Sequence, residues 1–334
     1  MLTTSVQYMV YKARRAMLKG EAMRKIMSLL VAFFVTASGN ALAQVDTQNP
    51  TTARDFYQRG SKREDAKQFK EAIADYEKAA RLDPGWFDAH FTLSSLHAEL
   101  KDYRAAIDAL TKSLKARPRD YSALFNSGLY HEYLRDYDNA IAYYTRASAD
   151  DADFFHFGGS TDDARAHAYH YRGRVYQWYK NDNAKAAADF TEALRLDPDI
   201  RMVRYRRARA YHDLKDYAKA NADFAAARDL DPDYQNLLSA WAWQLATCPD
   251  AKYRDGQLAL QLAKKARDMD TLSAAYAESG EFDNAVSSQK RAIQQLDRLP
   301  EAKDERAAKR RSQRKEQMQI RLAAYEAKRP FRDE

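Results

Sequence analysis

Few of the residues that carry catalytic or metal-binding chemistry are grouped in this sequence. His167 and His170 stand three residues apart and would share one face of a helix, but no further histidine or carboxylate recurs at ligand spacing. Cys248 is the single cysteine, which rules out an internal disulfide and a Cys-rich metal site. The sequence contains no P-loop, dinucleotide-binding loop or nucleophile elbow. We therefore expect no enzymatic activity, no cofactor and no metal.

Aromatic and arginine side chains at helical spacing indicate recognition of another chain instead. In the repeated units described below, the fifth position reads Tyr57, Phe91, Phe125, His170 and Tyr205. Four residues later, Arg174 falls below His170 and Arg209 below Tyr205, since residues i and i+4 share a helical face. Aromatic–arginine clusters are typical anchors at interfaces. These seven residues predict a groove for a partner protein or peptide with an acidic side chain or a C-terminal carboxylate beside an apolar one. Packing between neighbouring repeats is the alternative for position 5.

The elements that would position these residues follow a period of 34. Several anchors recur at that interval: Ala72, Ala106 and Ala140; Pro84 and Pro118; Phe190 and Phe224; Pro198 and Pro232. Small residues near positions 8 and 20 of each unit would let two helices approach closely, and an aromatic ring near position 24 would fill the space between them. Proline near position 32 ends the second helix. On these second helices, Glu71, Asp75 and Lys78 are expected to point outward.

These units resemble the tetratricopeptide repeat, a 34-residue helix–turn–helix. The resemblance implies an all-α, right-handed superhelical solenoid of antiparallel helix pairs that presents a concave binding surface. The repeats are placed at 53–86, 87–120, 121–154, 167–200 and 201–234. Between Ala140 and Ala186 there are twelve residues beyond the period. One fits the turn WYKNDN, and most of the others form an insertion loop, 155–166, which lacks calcium-loop spacing and is expected to be solvated.

The last third departs from the regular pattern. The phrases W-x-L-A-T-C-P-D-x-x-x-R-D-G and D-T-L-x-A-A-Y-A-E resemble a terminal module of bacterial tetratricopeptide proteins, which implies an exported, non-enzymatic protein. Residues 235–299 are read as divergent repeats six and seven, and 300–334 as a capping helix with a tail. The interval from Ala259 to Ala285 is eight residues short of the period, so we expect a short helix near 271–279 and weaker packing there.

The first 43 residues read as a leader with a signal peptide. An apolar core, 26–35, follows a short basic stretch, and Ala41-Leu42-Ala43 predicts cleavage before Gln44, with 44–52 as a linker. An uncleaved anchor is the alternative, but the apolar run is shorter than the ~20 residues that span a bilayer. Either Met1 or Met23 can be the start. The leader carries six basic residues and one acidic residue, so the mature charge falls from +7 to +2. We expect a periplasmic or secreted chain with no membrane span and no nucleic-acid partner.

Two classes of function stay open at this point. The first is a scaffold that binds a partner peptide or helix in the concave groove. The second is a structural subunit of a cell-envelope assembly or homo-oligomer that uses its outer faces. Charged residues expected on the outer faces of the second helices, such as Glu71 and Lys112, favour the first.

Overall fold

The computed structural model describes residues 49–154, 160–200, 202–302 and 304–333. The predicted signal peptide and its cleavage site lie outside these residues. Within them the chain is all-α, and its one β feature is an isolated bridge between Asp120 and Asp153. The chain divides after Val175 into two compact units. No helix in the part of the chain that the structure describes has the length and hydropathy needed to cross a membrane.

Both units consist of antiparallel helix pairs in which each pair packs on the next, as the repeat pattern predicts. In unit 1, over residues 49–154 and 160–175, the helices are α1 (Ala53–Asp65), α2 (Phe69–Leu82), α3 (Phe87–Glu99), α4 (Tyr103–Ala116), α5 (Tyr121–Tyr133), α6 (Tyr137–Ala147) and α7 (Thr161–Val175). Unit 2 begins with a π-helical turn (Tyr176–Lys180) and continues with α8 (Asn183–Leu196), α9 (Val203–Asp213), α10 (Tyr217–Leu230), α11 (Gln235–Thr247), a 3₁₀ turn (Ala251–Tyr253), α12 (Gly256–Ala266), α13 (Met269–Glu278), α14 (Phe282–Asp297) and α15 (Glu305–Glu326).

Small residues at position 8 set how closely the two helices of a pair approach. A Cβ added at Gly128 would lie 2.7 Å from the ring of Tyr144, and one at Gly60 would lie 2.9 Å from the ring of Tyr76. Both tyrosines stand at position 24 and are almost fully buried. The alanines at position 20 are completely buried as well: Ala72, Ala106, Ala140, Ala186 and Ala220. The expected packing logic of the repeat is confirmed.

A buried ion pair inside two of the repeats corrects one expectation. Asp75 is 2% exposed rather than outward-facing, and it accepts hydrogen bonds from Arg59 at 2.6 and 2.9 Å and from Arg63 at 2.6 Å. Asp223 holds the same position in the fifth repeat and accepts two hydrogen bonds from the Arg207 guanidinium, at 2.7 and 2.8 Å. A buried carboxylate is tolerated because bidentate arginine satisfies both oxygens.

Helix α7 begins inside the segment predicted as an insertion loop. Ser160 accepts a hydrogen bond from the Asp163 backbone N–H at 3.0 Å, while the Asp163 carboxylate accepts one from the Ser160 N–H at 3.3 Å. This is a reciprocal capping box, and acidic residues in the first turn complement the helix dipole. Residues 161–166 are therefore helical. Just before the segment, Asp153 bonds to the backbone between α4 and α5.

The one-residue insertion predicted in the turn WYKNDN is confirmed in a specific form. Tyr176–Lys180 adopt a π-helical turn, which accommodates one extra residue relative to an α-helical turn. The Asp182 N–H donates to the Tyr176 carbonyl at 2.9 Å and closes the turn.

The joint expected to pack weakly contains a network of buried hydrogen bonds. Most of the short helix α13 is buried, and its Asp270 accepts bidentate hydrogen bonds from Arg321 at 2.8–3.2 Å and one from Gln289 at 3.0 Å. Arg321 lies on α15, so this helix is hydrogen-bonded to the short helix α13. The Arg254 guanidinium also donates to Glu278 at 2.9 Å, which links the two phrases of the terminal pattern. Cys248, which belongs to the first phrase, is fully buried, and burial raises the pKa of its thiol.

Candidate partner-binding groove

The first helices of the helix pairs in unit 2, α9, α11 and α13, line a concave surface, which is named here the unit-2 groove. It encloses about 510 Å³ between α9, α11 and α13. Its lining combines aromatic rings, polar side chains and charges. The lining residues are Tyr205, Arg209, His212, Asp213, Phe224, Asn236, Ser239, Ala240, Trp243, Thr271 and Asp333.

Tyr205 and Arg209 lie one helical turn apart on α9, as the sequence predicts. Tyr205 is buried and packs edge-on against Tyr234 at 5.5 Å and against Phe224 at 6.3 Å, which fixes its ring as part of the groove floor. Arg209 is exposed, and among the described residues no hydrogen bond or ion pair engages its guanidinium. The groove therefore presents an available cation above a rigid aromatic surface, an arrangement suited to a carboxylate beside an apolar group.

A smaller pocket of about 210 Å³ adjoins the groove and is named here the rim pocket. It shares Tyr205, Arg209 and Asn236 with the groove and adds Gln177, Trp178, Met202, Arg206 and Tyr234. The π-helical turn supplies Trp178, which is 47% exposed, and the guanidinium of Arg206 lies 4.4 Å from its ring centre. Met202 caps α9 with a left-handed φ of 69°, a conformation that is rare for a long side chain. Such outliers cluster at functional sites.

The opposite end of the groove is closed by the segment that follows α15. The Trp243 indole N–H donates to the Asp333 carboxylate at 2.8 Å, and the Asp333 N–H donates to the Thr247 carbonyl at 3.0 Å. The groove thus has a free guanidinium at one place and a bonded carboxylate at another. His212 Nδ1 lies 3.5 Å from the Asp213 carboxylate, also in the groove lining.

In unit 1 the predicted groove aromatics act as packing residues. Tyr57 lies between Tyr76 at 5.2 Å and Trp86 at 4.8 Å, and its hydroxyl bonds to Thr92 of the next repeat at 2.9 Å. Phe91 stacks on Phe87 at 5.5 Å. These contacts match the alternative interpretation of position 5, packing between repeats.

Phe125 follows the same rule further along unit 1. Its ring lies 5.5 Å from Tyr144 and 4.9 Å from Tyr171, so it bridges the third repeat to α7. His170 is half-buried beside Tyr171 at 5.4 Å. Position 5 is therefore a helix-packing position at Tyr57, Phe91 and Phe125.

Arg174 is committed to an internal ion pair, which corrects its predicted role in a groove. Its guanidinium donates to Glu132 at 2.6 Å and lies 4.3 Å from the ring centre of Tyr171, with both charged side chains largely buried. Burial alone would lower the pKa of Arg174, and the Glu132 carboxylate more than offsets this and raises it. The Tyr144 hydroxyl donates to the second Glu132 oxygen at 3.2 Å. The carboxylate that a partner was expected to offer to Arg174 is thus supplied by Glu132, from within the fold.

Sequence reasoning missed several groove residues. Trp178 lies in the π-helical turn. The sequence indicates the extra residue of this turn but not the exposed ring that results from it. Asn236 opens the sixth first-helix, and Trp243 follows it by two turns on the same face, a spacing that was readable. Asp333 had no signal, since it is ninety residues from its partner Trp243.

No group of three or more His, Cys, Asp or Glu side chains that could hold a metal ion occurs among the described residues. His167 Nδ1 lies 2.7 Å from the Asp163 carbonyl oxygen, one helical turn back. This pair of histidines therefore lies on a helix surface without the convergent ligands that a metal site requires.

The tetratricopeptide repeat family matches residues 51–110, 91–153 and 175–235. No curated protein matches the chain at a significant level.

Solved structures similar to it include MamA (TM-score 0.47, 20% identity, 55% of this chain and 94% of that chain covered) and the Pseudomonas aeruginosa protein pilF (0.46, 21%, 67% and 88%). Another is YrrB, described as a TPR protein with an unusual peptide-binding site (0.47, 20%, 56% and 91%). Likeness at this identity concerns the fold alone. The helix pairs, their small-residue packing and the family match together identify the chain as a tetratricopeptide repeat protein.

Proposed function

We propose that the protein is an exported scaffold that binds a peptide segment of a partner protein in the unit-2 groove. The observation that carries the proposal is the exposed guanidinium of Arg209, which lines the groove above the buried ring of Tyr205. Tetratricopeptide repeats are generally non-catalytic scaffolds for protein partners, and their concave surfaces hold extended segments. The partner segment would place a carboxylate on Arg209 and a bulky apolar side chain in the rim pocket, against Trp178 and Tyr234.

The expected strength of this contact sets the scale of the test. A charge-assisted hydrogen bond contributes about 1.5–3 kcal/mol, which corresponds to roughly a ten- to hundredfold change in dissociation constant. Loss of Arg209 should therefore be visible in a simple binding measurement.

The experiment is a selection of random displayed heptapeptides on the wild-type chain, Arg209→Glu and Lys215→Glu. Lys215 is an exposed cation on the same unit, in the turn between α9 and α10, and does not line the groove. We expect the wild type and Lys215→Glu to enrich peptides with an acidic residue next to a bulky apolar one. Arg209→Glu should lose that enrichment. Equal enrichment on all three proteins would refute the groove assignment.

Arg174 is not a suitable position for this binding test, because it is paired with Glu132 inside the fold. A glutamate at that position would face Glu132 in a largely buried site, and two like charges there would unfold the local structure. A binding loss in such a variant would say nothing about the groove.

Export is the second part of the proposal and is supported by the sequence of residues 1–43. Intact mass of the protein purified from its native envelope should correspond to a chain that begins at Gln44. Recovery of a chain that still contains residues 24–43 would reject this part while leaving the groove proposal untouched.

A structural subunit that uses its outer faces is the competing proposal. The outer face of unit 1 carries a cleft of about 810 Å³ between α2, α3 and α4. Its lining carries opposite charges close together, including Glu77, Arg81, Asp108 and Lys112. The core of a permanent assembly interface is usually depleted of charged residues, so the groove is favoured.

A further inference from the structure

We propose that residues 329–333 are an internal occupant of the unit-2 groove, and that they reveal the chemistry of the segment it accepts: an aromatic residue followed two positions later by a carboxylate. The inference rests on the proposed function, and it deepens it by naming the kind of segment bound and the way in which access is controlled.

The chain is turned back toward the groove by a defined helix end. Lys328 adopts a left-handed φ of 54°, its N–H donates to the Tyr325 carbonyl at 2.9 Å, and the Arg329 N–H donates to the Ala324 carbonyl at 2.9 Å. Pro330 follows, which prevents the helix from resuming. Residues 329–333 then run without regular secondary structure.

The segment contacts helices α11 and α13 through three successive residues. Phe331 packs on Trp243 with ring centres 6.1 Å apart. Arg332 donates to the Ala246 carbonyl at 3.2 Å and pairs with Glu278 at 2.7 Å. Asp333 bonds to the Trp243 indole N–H and to the Thr247 carbonyl. Main-chain and side-chain contacts of this kind are how a groove holds an extended peptide.

The aromatic position, Phe331, and the acidic position, Asp333, are the two that contact Trp243 in the groove. Trp243 receives both: its ring lies tilted against the ring of Phe331, and its N–H donates to the Asp333 carboxylate. Arg321 lies 5.1 Å from the Trp243 ring centre and 5.7 Å from that of Phe331, so it holds the two rings together. The Arg332 side chain points instead to Glu278, at the edge of the groove.

All three contacting residues are partly buried and keep a minority of their surface exposed, so the segment lies at the surface of unit 2. A short tether gives an effective concentration of about 1 mM. A segment whose dissociation constant as a separate peptide is about 0.1 mM would then occupy its site roughly 90% of the time. Removal of the segment would strengthen the binding of a competing peptide by about tenfold, since apparent affinity scales with the vacant fraction.

The test uses the full chain, a variant that ends at Lys328, and an amidated peptide with the sequence of residues 327–333. The readout is the Trp243 indole N–H signal in a nitrogen-15 NMR spectrum, identified with Trp243→Phe. We expect this signal to shift when the segment is removed and to return to its original position when the peptide is added. A peptide with Asp333→Asn should not restore it.

A second measurement compares binding of an acidic heptapeptide from the display selection to the full chain and to the shortened variant. We expect binding to the shortened variant to be about tenfold tighter. If the segment only caps the fold, its removal would lower the melting temperature, the peptide would fail to restore the indole signal, and heptapeptide affinity would not rise. That result overturns the inference while the Arg209 dependence of binding can still stand.

The full-length variant Phe331→Ala, Asp333→Asn covers the case in which the shortened chain does not fold. It keeps Arg332 and its ion pair with Glu278, so unit 2 retains that contact. Tighter heptapeptide binding to this variant supports the inference, and unchanged binding rejects it.

Discussion

Arg174 in unit 1 and Arg209 in unit 2 occupy the same position of consecutive repeats, yet their surroundings differ completely. Arg174 is largely buried and bonded to Glu132 at 2.6 Å. Arg209 is exposed in the unit-2 groove and is engaged by no described side chain. The two residue types are identical, so their difference comes from a neighbour.

That neighbour is the residue at position 12 of the preceding repeat. For Arg174 it is Glu132, whose carboxylate neutralises the guanidinium and also accepts from the Tyr144 hydroxyl. For Arg209 it is Gln177, a neutral side chain whose amide donates to the Arg206 carbonyl at 3.2 Å. The charge at position 12 of the preceding repeat therefore decides whether the arginine at position 9 stabilises the fold or is available to a partner.

The largest expected effect lies in breaking the unit 1 pair. Glu132→Gln leaves the Arg174 charge in a site that is mostly shielded from water, and we expect a loss of about 3 kcal/mol in unfolding free energy. Arg174→Gln should cost less, because Glu132 keeps its bond to Tyr144. The double variant should be more stable than the sum of the two losses predicts. Urea unfolding followed by circular dichroism measures all three.

Arg209→Gln is the matched control for this cycle. An exposed side chain without a partner contributes little, so its unfolding free energy should stay within about 0.5 kcal/mol of the wild type. Equal losses at Arg174 and Arg209, or strictly additive losses at Glu132 and Arg174, would contradict the distinction between the two arginines.

The second prediction concerns a substitution that gives Arg209 an internal carboxylate, as Arg174 has in unit 1. Gln177→Glu places a carboxylate in the rim pocket that Arg209 also lines, so the arginine gains an internal partner. Binding of an acidic heptapeptide should weaken by about tenfold, equivalent to roughly 1.4 kcal/mol. Fluorescence anisotropy of the labelled peptide gives the dissociation constants.

Gln177→Met controls for the lost bond to the Arg206 carbonyl without adding charge. Peptide affinity of this variant should remain close to that of the wild type. A drop as large as that of Gln177→Glu would show that the shape of the π-helical turn matters, and the charge at position 12 does not.

The sequence predicts the helix pairs well because their packing depends on local, repeated features. Gly60 and Gly128 at position 8 and tyrosine at position 24 recur at a fixed period, and the π-helical turn follows from one extra residue. The ion pairs were harder to predict. Arginine at position 7 and aspartate at position 23 occur together in repeats one and five, a readable signal that Asp75 would be buried.

The candidate site was predicted only in part because its decisive contacts join distant segments. Glu132 and Arg174 are 42 residues apart and Trp243 and Asp333 are 90 apart. Helical periodicity places a side chain on a face, but it does not tell which residue of a neighbouring repeat that face will meet. The neighbouring positions of Tyr205 and Arg209 could be predicted because both residues lie on one helix, α9, one turn apart.

The smallest expected effect concerns salt. Arg209 is exposed, so its attraction for a peptide carboxylate acts through water and is screened as the Debye length falls from about 10 Å at 0.1 M to about 3 Å at 1 M ionic strength. The affinity of the wild type for an acidic heptapeptide should fall about threefold between 0.05 and 0.5 M sodium chloride. Arg209→Gln should show almost no dependence.

The Glu132–Arg174 pair responds differently because its charges are shielded from solvent ions. Its coupling free energy from the double-mutant cycle should change by less than about 0.3 kcal/mol over the same range of salt. If the coupling in unit 1 is screened as strongly as the peptide contact in unit 2, then both arginines act through water. Position 12 would in that case set only the partner of each arginine, and the separation into a structural and a binding residue would fail.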